Sequence, residues 1–299
     1  MSKRENALLL FGIGMLIAAL SSCRHRPALF MAVPSSQTHI HFNNELKDHD
    51  SLNILDYLYY YNGAGVAVGD INQDGLPDIY FTANGKGKNK LYLNKGKMQF
   101  EDITAVSGAG GRSGPWKTGV TMADVNGDGK MDIYLCYSGK LPSEKRMNQL
   151  FINQGNDEKG IPVFKDEAKL YGLDDSPYST HAYFFYFDRD GDLDLFLLNH
   201  NPNSLPVLDE ANTAAILKKE DPLTGVQLFR NDNNHFVNVT SKSGLSSSSL
   251  TYGLGAGIAD LNNDGWPDIY ISNDYTVPDF LYINNHDGTF TDQLQKHLG

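Results

Sequence analysis

The sequence predicts an all-β protein, a β-propeller, from three observations. An acidic nine-residue loop recurs four times, short apolar strands flank each copy, and turn residues separate those strands at short intervals. Four short strands per unit with turns between them describe a propeller blade. With 299 residues and 40 % hydrophobic content the chain has ample material for a large core.

The loops read Asp70-Ile-Asn72-Gln-Asp74-Gly75-Leu76-Pro-Asp78, Asp124-Val-Asn126-Gly-Asp128-Gly129-Lys130-Met-Asp132 and Asp260-Leu-Asn262-Asn-Asp264-Gly265-Trp266-Pro-Asp268. The third of the four in chain order is imperfect: Tyr186-Phe-Asp188-Arg-Asp190-Gly191-Asp192-Leu-Asp194. Side-chain oxygens at positions 1, 3, 5 and 9, a backbone carbonyl at 7 and a glycine for the sharp turn at 6 suit a hard cation that takes six to eight oxygens. Ca2+ is therefore the expected cofactor, with Leu76, Lys130 and Trp266 contributing carbonyls. In the third loop Tyr186 replaces the first aspartate, so that site is expected to be weak, with Asp192 as a substitute ligand. Asx residues and glycine also form turns with no metal. Three full copies in register with the same flanks argue against chance turns. An EF-hand is excluded because position 12 is Phe81, Leu135 or Ile271 rather than glutamate, inside β-rich sequence.

Before each loop lies a strand rich in small residues, such as Gly63-Ala-Gly-Val-Ala-Val-Gly69 and Gly253-Leu-Gly-Ala-Gly-Ile-Ala259, where backbones must approach closely. After it come an aliphatic and aromatic strand (Asp78-Ile-Tyr-Phe), a third ending in asparagine (Leu91-Tyr-Leu-Asn94) and a fourth starting at phenylalanine (Phe100). The blades are placed at about residues 52–104, 116–168, 180–241 and 252–294, within a repeat domain over 51–299.

At the N-terminus, Lys3 and Arg4 precede an apolar run over residues 8–20, too short to span a bilayer but suited to a signal peptide. Leu20-Ser21-Ser22-Cys23 follows and resembles a bacterial lipobox, so residues 1–22 are read as a lipoprotein signal peptide, Cys23 as the lipidated residue and 23–50 as a polar tether. The other cysteine, Cys136, sits in a strand-like run and is read as a small buried hydrophobe. The formal charge of −11 and the lack of any basic block exclude nucleic-acid binding. Membrane contact is expected through the lipid anchor alone.

The run Tyr59-Tyr-Tyr-Asn-Gly-Ala-Gly-Val-Ala-Val-Gly-Asp70 and the Asp188-Arg-Asp-Gly-Asp-Leu-Asp194 loop resemble the FG-GAP or VCBS repeat family, whose members include the integrin α propellers. The nearest resemblance is to the bacterial lipoprotein branch related to ASPIC/UnbV and cartilage acidic protein. It implies calcium sites in the loops and a ring of about seven blades, of which four are visible here. It implies no single activity, since this fold hosts adhesion, scaffolding and some polysaccharide-active enzymes.

Successive turns of a meander alternate between its two ends, so the acidic loops share one face and the longer loops the other. The rim of that other face brings Asn62, Trp116, Lys117, His181 and Tyr252 together, joined by His200 and Asn201 from the longest insertion, residues 199–227. Aromatic and amide side chains at a channel mouth suit a sugar. Residues 209–220 of that insertion read as a short helix. No nucleophile elbow, zinc-protease, phosphate-loop or dinucleotide motif is present. The expected function is a binding or scaffold module for an envelope or extracellular protein or glycan, on a bacterial cell envelope and membrane-anchored. The alternative is a polysaccharide lyase or hydrolase with its site on the face opposite the calcium loops.

Overall fold

The structure is a computed structural model and describes residues 29–48, 50, 53–85, 87–114, 116–203, 208–274 and 277–298. The expected signal peptide, Cys23 and the first part of the tether lie outside the described residues. Among those described, no helix is long and apolar enough to cross a membrane. Among the described residues, those up to Gln37 belong to one unit and those from Thr38 onward to another. In the first, Leu29, Phe30 and Met31 are exposed.

The second unit holds four antiparallel meanders of four strands each, and the expected all-β propeller blades are borne out. Blade 1 comprises β1 (Val66–Gly69), β2 (Asp78–Phe81), β3 (Lys90–Asn94) and β4 (Phe100–Asp102). Blade 2 comprises β5 (Lys117–Ala123), β6 (Asp132–Tyr137), β7 (Gln149–Asn156) and β8 (Pro162–Asp166). Blade 3 comprises β9 (Ser179–Phe185), β10 (Asp194–Asn199), β11 (Gln227–Asn231) and β12 (Phe236–Asn238). Blade 4 comprises β13 (Gly253–Ala259), β14 (Asp268–Asn273), β15 (Phe280–Asn284) and β16 (Phe290–Asp292). In blade 1 the register pairs Gly69 with Asp78 and Val66 with Phe81, so the acidic loop is the hairpin connection itself.

Strand alternation sends successive side chains to opposite faces of a sheet, and each blade face meets a different neighbour. Tyr80, Leu91 and Leu93 pack with Val120, Ile133 and Phe151 between blades 1 and 2. Tyr134, Cys136 and Ile152 meet Leu195, Leu197 and Phe229 between blades 2 and 3. Phe185, Phe196 and Leu228 meet Ile269, Ile271 and Tyr282 between blades 3 and 4. Cys136 is fully buried and unbridged, as its strand setting predicts.

The face of blade 1 turned away from blade 2 carries Phe81 and Tyr92, and it is covered from within the chain. Phe42 stacks on Phe81 with ring centroids 4.9 Å apart. The His41 N–H donates to the Tyr92 hydroxyl at 3.3 Å, and the Asn44 side-chain amide donates to Asn84 Oδ1 at 2.7 Å. The last part of the segment read as a tether thus lies along a blade.

Glycine is required where inner strands meet. A Cβ on Gly65 would stand 2.7 Å from the Thr118 carbonyl oxygen, and one on Gly119 would stand 2.6 Å from that of Thr180. Real Cβ atoms do not approach backbone so closely, so the small residues before each loop set the spacing of the blades.

Candidate functional site

Each acidic loop begins at the end of an inner strand and closes onto itself. In blade 1, Asp70 Oδ1 accepts the Asp74 N–H at 3.1 Å and Oδ2 the Gly75 N–H at 2.8 Å. Asn72 Oδ1 shares the Asp74 N–H at 3.3 Å, and Asp74 Oδ1 accepts the Leu76 N–H at 2.8 Å. Blade 2 repeats this with Asp124, Asn126 and Asp128, and blade 4 with Asp260, Asn262 and Asp264. The backbone turns left-handed at position 4 (Gln73, Gly127, Arg189, Asn263) and again at the position 6 glycine, with φ of 84° at Gly75 and 88° at Gly265. A β-carbon is disfavoured there, which is why glycine recurs.

The position 9 aspartates also serve the loop from within, whatever they offer a cation. Asp78, Asp132, Asp194 and Asp268 are fully buried, and each accepts two backbone N–H groups. One comes from the second loop residue and one from the asparagine ending the third strand, as with Ile71 at 3.0 Å and Asn94 at 2.7 Å for Asp78. They latch the loop to its sheet. Burial pushes the Asp78 carboxyl up to about 6, Asp132 to about 7 and Asp194 to about 8.

Among the described residues no three Asp, Glu, His or Cys side chains stand together as a metal-ligating cluster. The loops nevertheless fit a hard cation. Positions 1 and 3 converge on one N–H, and the donors are all oxygens. Asp70, Asn72 and Asp74, Asp124, Asn126 and Asp128, and Asp260, Asn262 and Asp264 would hold the ion, with the carbonyls of Leu76, Lys130 and Trp266.

At the other ends of the inner strands lies a cavity of about 300 Å³. Residues 63–65, 118–119, 180–181 and 253–254, one stretch from each blade, converge on it. Of the residues expected at this mouth, Asn62, Trp116, His181 and His200 line it. Tyr252 packs behind them with Tyr57, Tyr59 and Tyr60. Lys117 does not reach it, because strand alternation turns Lys117 away from Trp116 and Thr118 into a cleft between blades 1 and 2. Asn201 is engaged elsewhere, donating to the Ser249 carbonyl at 2.9 Å.

The aromatic residues of the mouth are mostly committed to one another. Trp116 is 2 % exposed, with the Tyr57 ring edge-on at 5.2 Å and Tyr60 at 5.4 Å. Its φ of 120° is a strained value for a tryptophan, held by packing against Gly139. His200 is buried with both ring nitrogens engaged, Nε2 to the Tyr57 hydroxyl and Nδ1 to Thr180 Oγ1, each at 2.8 Å. Burial lowers its pKa to about 4, so the ring is neutral. Half-buried His181 and Tyr183, edge to face at 4.8 Å, stay open to the cavity with exposed Asn62 and Leu254.

An FG-GAP-like repeat profile matches residues 70–135 and 215–271, which contain the first, second and fourth acidic loops. The chain carries FG-GAP-like repeats. It is also similar to cartilage acidic protein 1 of Xenopus tropicalis, 34 % identical over 146 residues, which cover 47 % of this chain and 20 % of that protein. For the Homo sapiens protein the figures are 30 %, 151 residues, 49 % and 22 %. A T-cell immunomodulatory protein homolog of Plasmodium yoelii yoelii is 24 % identical over 173 residues, 52 % of this chain and 23 % of that protein. The matched stretch spans about a fifth of the length of each of these relatives.

The third blade departs from the others by more than Tyr186, which is half exposed. Arg230 stands where the other third strands carry Leu93, Ile152 and Ile283, and its charge acts on Asp188 and Asp194. Arg189 of the same loop reaches over the Trp266 ring of blade 4 at 5.3 Å. Asp192 is pushed up to about 6 by burial and by Asp190 and Asp188. Arg230 is paired with Asp232 at 2.7 Å, and the Arg189 guanidinium is carried over to blade 4, so neither arginine is spent on the imperfect loop alone. Comparing the third strands position by position exposes Arg230. In the fourth repeat His286 Nε2 meets Asp264 Oδ2 at 2.9 Å and its ring stacks on Trp266.

Proposed function

We propose that this protein is a calcium-stabilised, extracytoplasmic propeller module, anchored to a bacterial envelope membrane through Cys23, that binds an envelope or extracellular glycan or protein at the mouth opposite its acidic loops. One observation carries the reading: all four blades contribute to a single cavity of about 300 Å³ whose largely apolar lining is punctuated by a few polar groups, His181, Tyr183 and Asn62. Pockets with a few convergent polar groups are the usual place for a ligand. The acidic loops lie at the far ends of the same strands, which makes metal there structural for the scaffold rather than part of ligand contact.

The test is a pulldown of envelope fractions with the wild-type protein and with Asn62→Ala and His181→Ala variants. Retention of a glycan or protein by the wild type, lost in variants whose melting temperature is unchanged, is expected. Equal retention by the variants would show that the mouth is not the site. The lipid anchor predicts palmitate labelling abolished by Cys23→Ser.

The paired rings of His181 and Tyr183 favour one second reading, a polysaccharide-active enzyme using them for proton transfer. Burial lowers the His181 pKa, keeping a neutral base at neutral pH. Appearance of cleaved products from a retained glycan would choose the enzyme over the binder.

A further inference from the structure

A second cavity, of about 530 Å³, lies between blades 1 and 2. It concentrates cations on a chain whose net charge is −11. Lys88, Lys90, Arg112 and Lys117 all line it, against a single carboxylate, Asp102, which is already paired with Lys90. Among the described residues the other three have no acidic partner within ion-pair distance.

Lys117 is the unusual member. It is 2 % exposed, and its ammonium donates to the carbonyls of Gly114 and, at 3.5 Å, Gly87. An ammonium has three donors, so two carbonyls leave one unused and the charge uncancelled. Burying a charge without a counter-ion is costly and is found where something else supplies the opposite charge. Arg112 is held in place by a bond to the Met147 carbonyl at 2.7 Å and by the Tyr137 ring 4.9 Å below its guanidinium. That clamp leaves part of a planar donor fork, suited to a carboxylate or sulfate, against the cavity.

We propose that this cleft is a second ligand site, which takes the oxyanion group, carboxylate or sulfate, of an acidic sugar on Lys117 and Arg112 with Lys88 at its entrance. The cleft is large enough for a sugar, and Ser113 adds a neutral hydrogen-bonding group for a hydroxyl. The site is separate from the central mouth and does not depend on it: Trp116 and Thr118 face the mouth, and Lys117 between them faces the cleft.

Titration calorimetry of the full chain in low salt, with galacturonate, N-acetylglucosamine 6-sulfate, neutral galactose and inorganic sulfate, tests it. Both acidic sugars should bind, galactose at least about tenfold more weakly, since a charged hydrogen bond is worth about 1.5–3 kcal/mol. The double variant Lys88→Gln/Arg112→Gln, at half-buried and exposed positions, should lose at least about tenfold in affinity. Lys117→Met should abolish binding without lowering the melting temperature, because it removes an unpaired buried charge. His181→Ala should change nothing at this site. Equal binding of galactose and galacturonate, no binding of either acidic sugar, or undiminished binding by the double variant would each overturn the proposal. Inorganic sulfate binding as tightly as the sugars would overturn the assignment to a sugar.

Discussion

The side-chain amide of Asn153 in blade 2 donates to the backbone carbonyl of Ile71 in blade 1 at 2.8 Å, across 82 residues of sequence. The same peptide segment is held from within blade 1, where the Ile71 N–H bonds Asp78. Asn231 repeats the bridge to Val125 at 3.4 Å, and Asn284 to Phe187 at 2.8 Å. The third-strand asparagines of blades 2, 3 and 4 therefore each join their blade to the acidic loop of the one before it, and order in a loop is transmitted to the stack. Removing one partner of a buried hydrogen bond costs about 1–3 kcal/mol. Asn153→Ala and Asn284→Ala are expected to lower the urea midpoint accordingly, and Asn94→Ala, whose amide bonds Pro77 of its own loop, to lower it less.

Glycine spacing makes a paired prediction. Gly119→Ala forces a β-carbon against the backbone of blade 3, and overpacking of that kind costs about 1–3 kcal/mol. A β-carbon on Gly257 meets nothing within 4 Å, so Gly257→Ala should be neutral or stabilise by about 0.4–1 kcal/mol through the unfolded chain. Thermal melts of the two variants check both.

Stability should fall on acidification through His200. Its pKa is about 4 folded against 6.5 unfolded, so between these values the unfolded chain binds the extra proton. The contribution is intact above pH 6.5, erodes as pH falls towards 4, and is then fully lost, up to about 3 kcal/mol. The raised loop aspartates titrate in the opposite sense, so the comparison is made in saturating calcium between wild type and His200→Gln. The difference between their melting temperatures should narrow from pH 7 to pH 4.5. A constant difference would show that His200 carries no such linkage.

Much of this architecture was legible because its signals are local and repeated. Four loops with fixed spacing and strands ending in Asn94, Asn153, Asn231 and Asn284 name the blades before any contact is known. The helix Glu210–Leu217 was equally readable, capped by Asp209, which accepts the Asn212 N–H at 2.8 Å. The meander rule correctly gathered Asn62, Trp116, His181 and His200 at one mouth. What was not legible depends on which way a side chain turns and what fills the space beside it. Lys117 belongs to a different cavity from its neighbours, and Trp116 is buried under Tyr57 rather than presented to a sugar. The latching role of Asp78 and its equivalents is invisible in spacing, since a ligand and a hydrogen-bond acceptor obey the same pattern. The packing of Phe42 on blade 1 comes from a polar segment with no strand signal.

Blade 3 should bind calcium most weakly, because Tyr186 supplies no carboxylate and Arg230, although paired with Asp232, also acts on Asp188 and Asp194. Restoring the first ligand and removing Arg230, with Tyr186→Asp/Arg230→Leu, should add one calcium ion per chain to the wild-type count. No added ion would mean that the third loop is closed to metal for another reason.

Native mass spectrometry of the full chain, dialysed against chelator and then titrated with calcium to millimolar concentration, tests the proposed calcium scaffold directly. Extracellular calcium modules bind at about 10⁻⁴ to 10⁻³ M. At a one- to tenfold excess over its dissociation constant each filled site stabilises the fold by about 0.4–1.4 kcal/mol. Three calcium ions per chain, with a matching rise in melting temperature, is the expected result. No ion retained, and an unchanged melting curve in chelator, would contradict it.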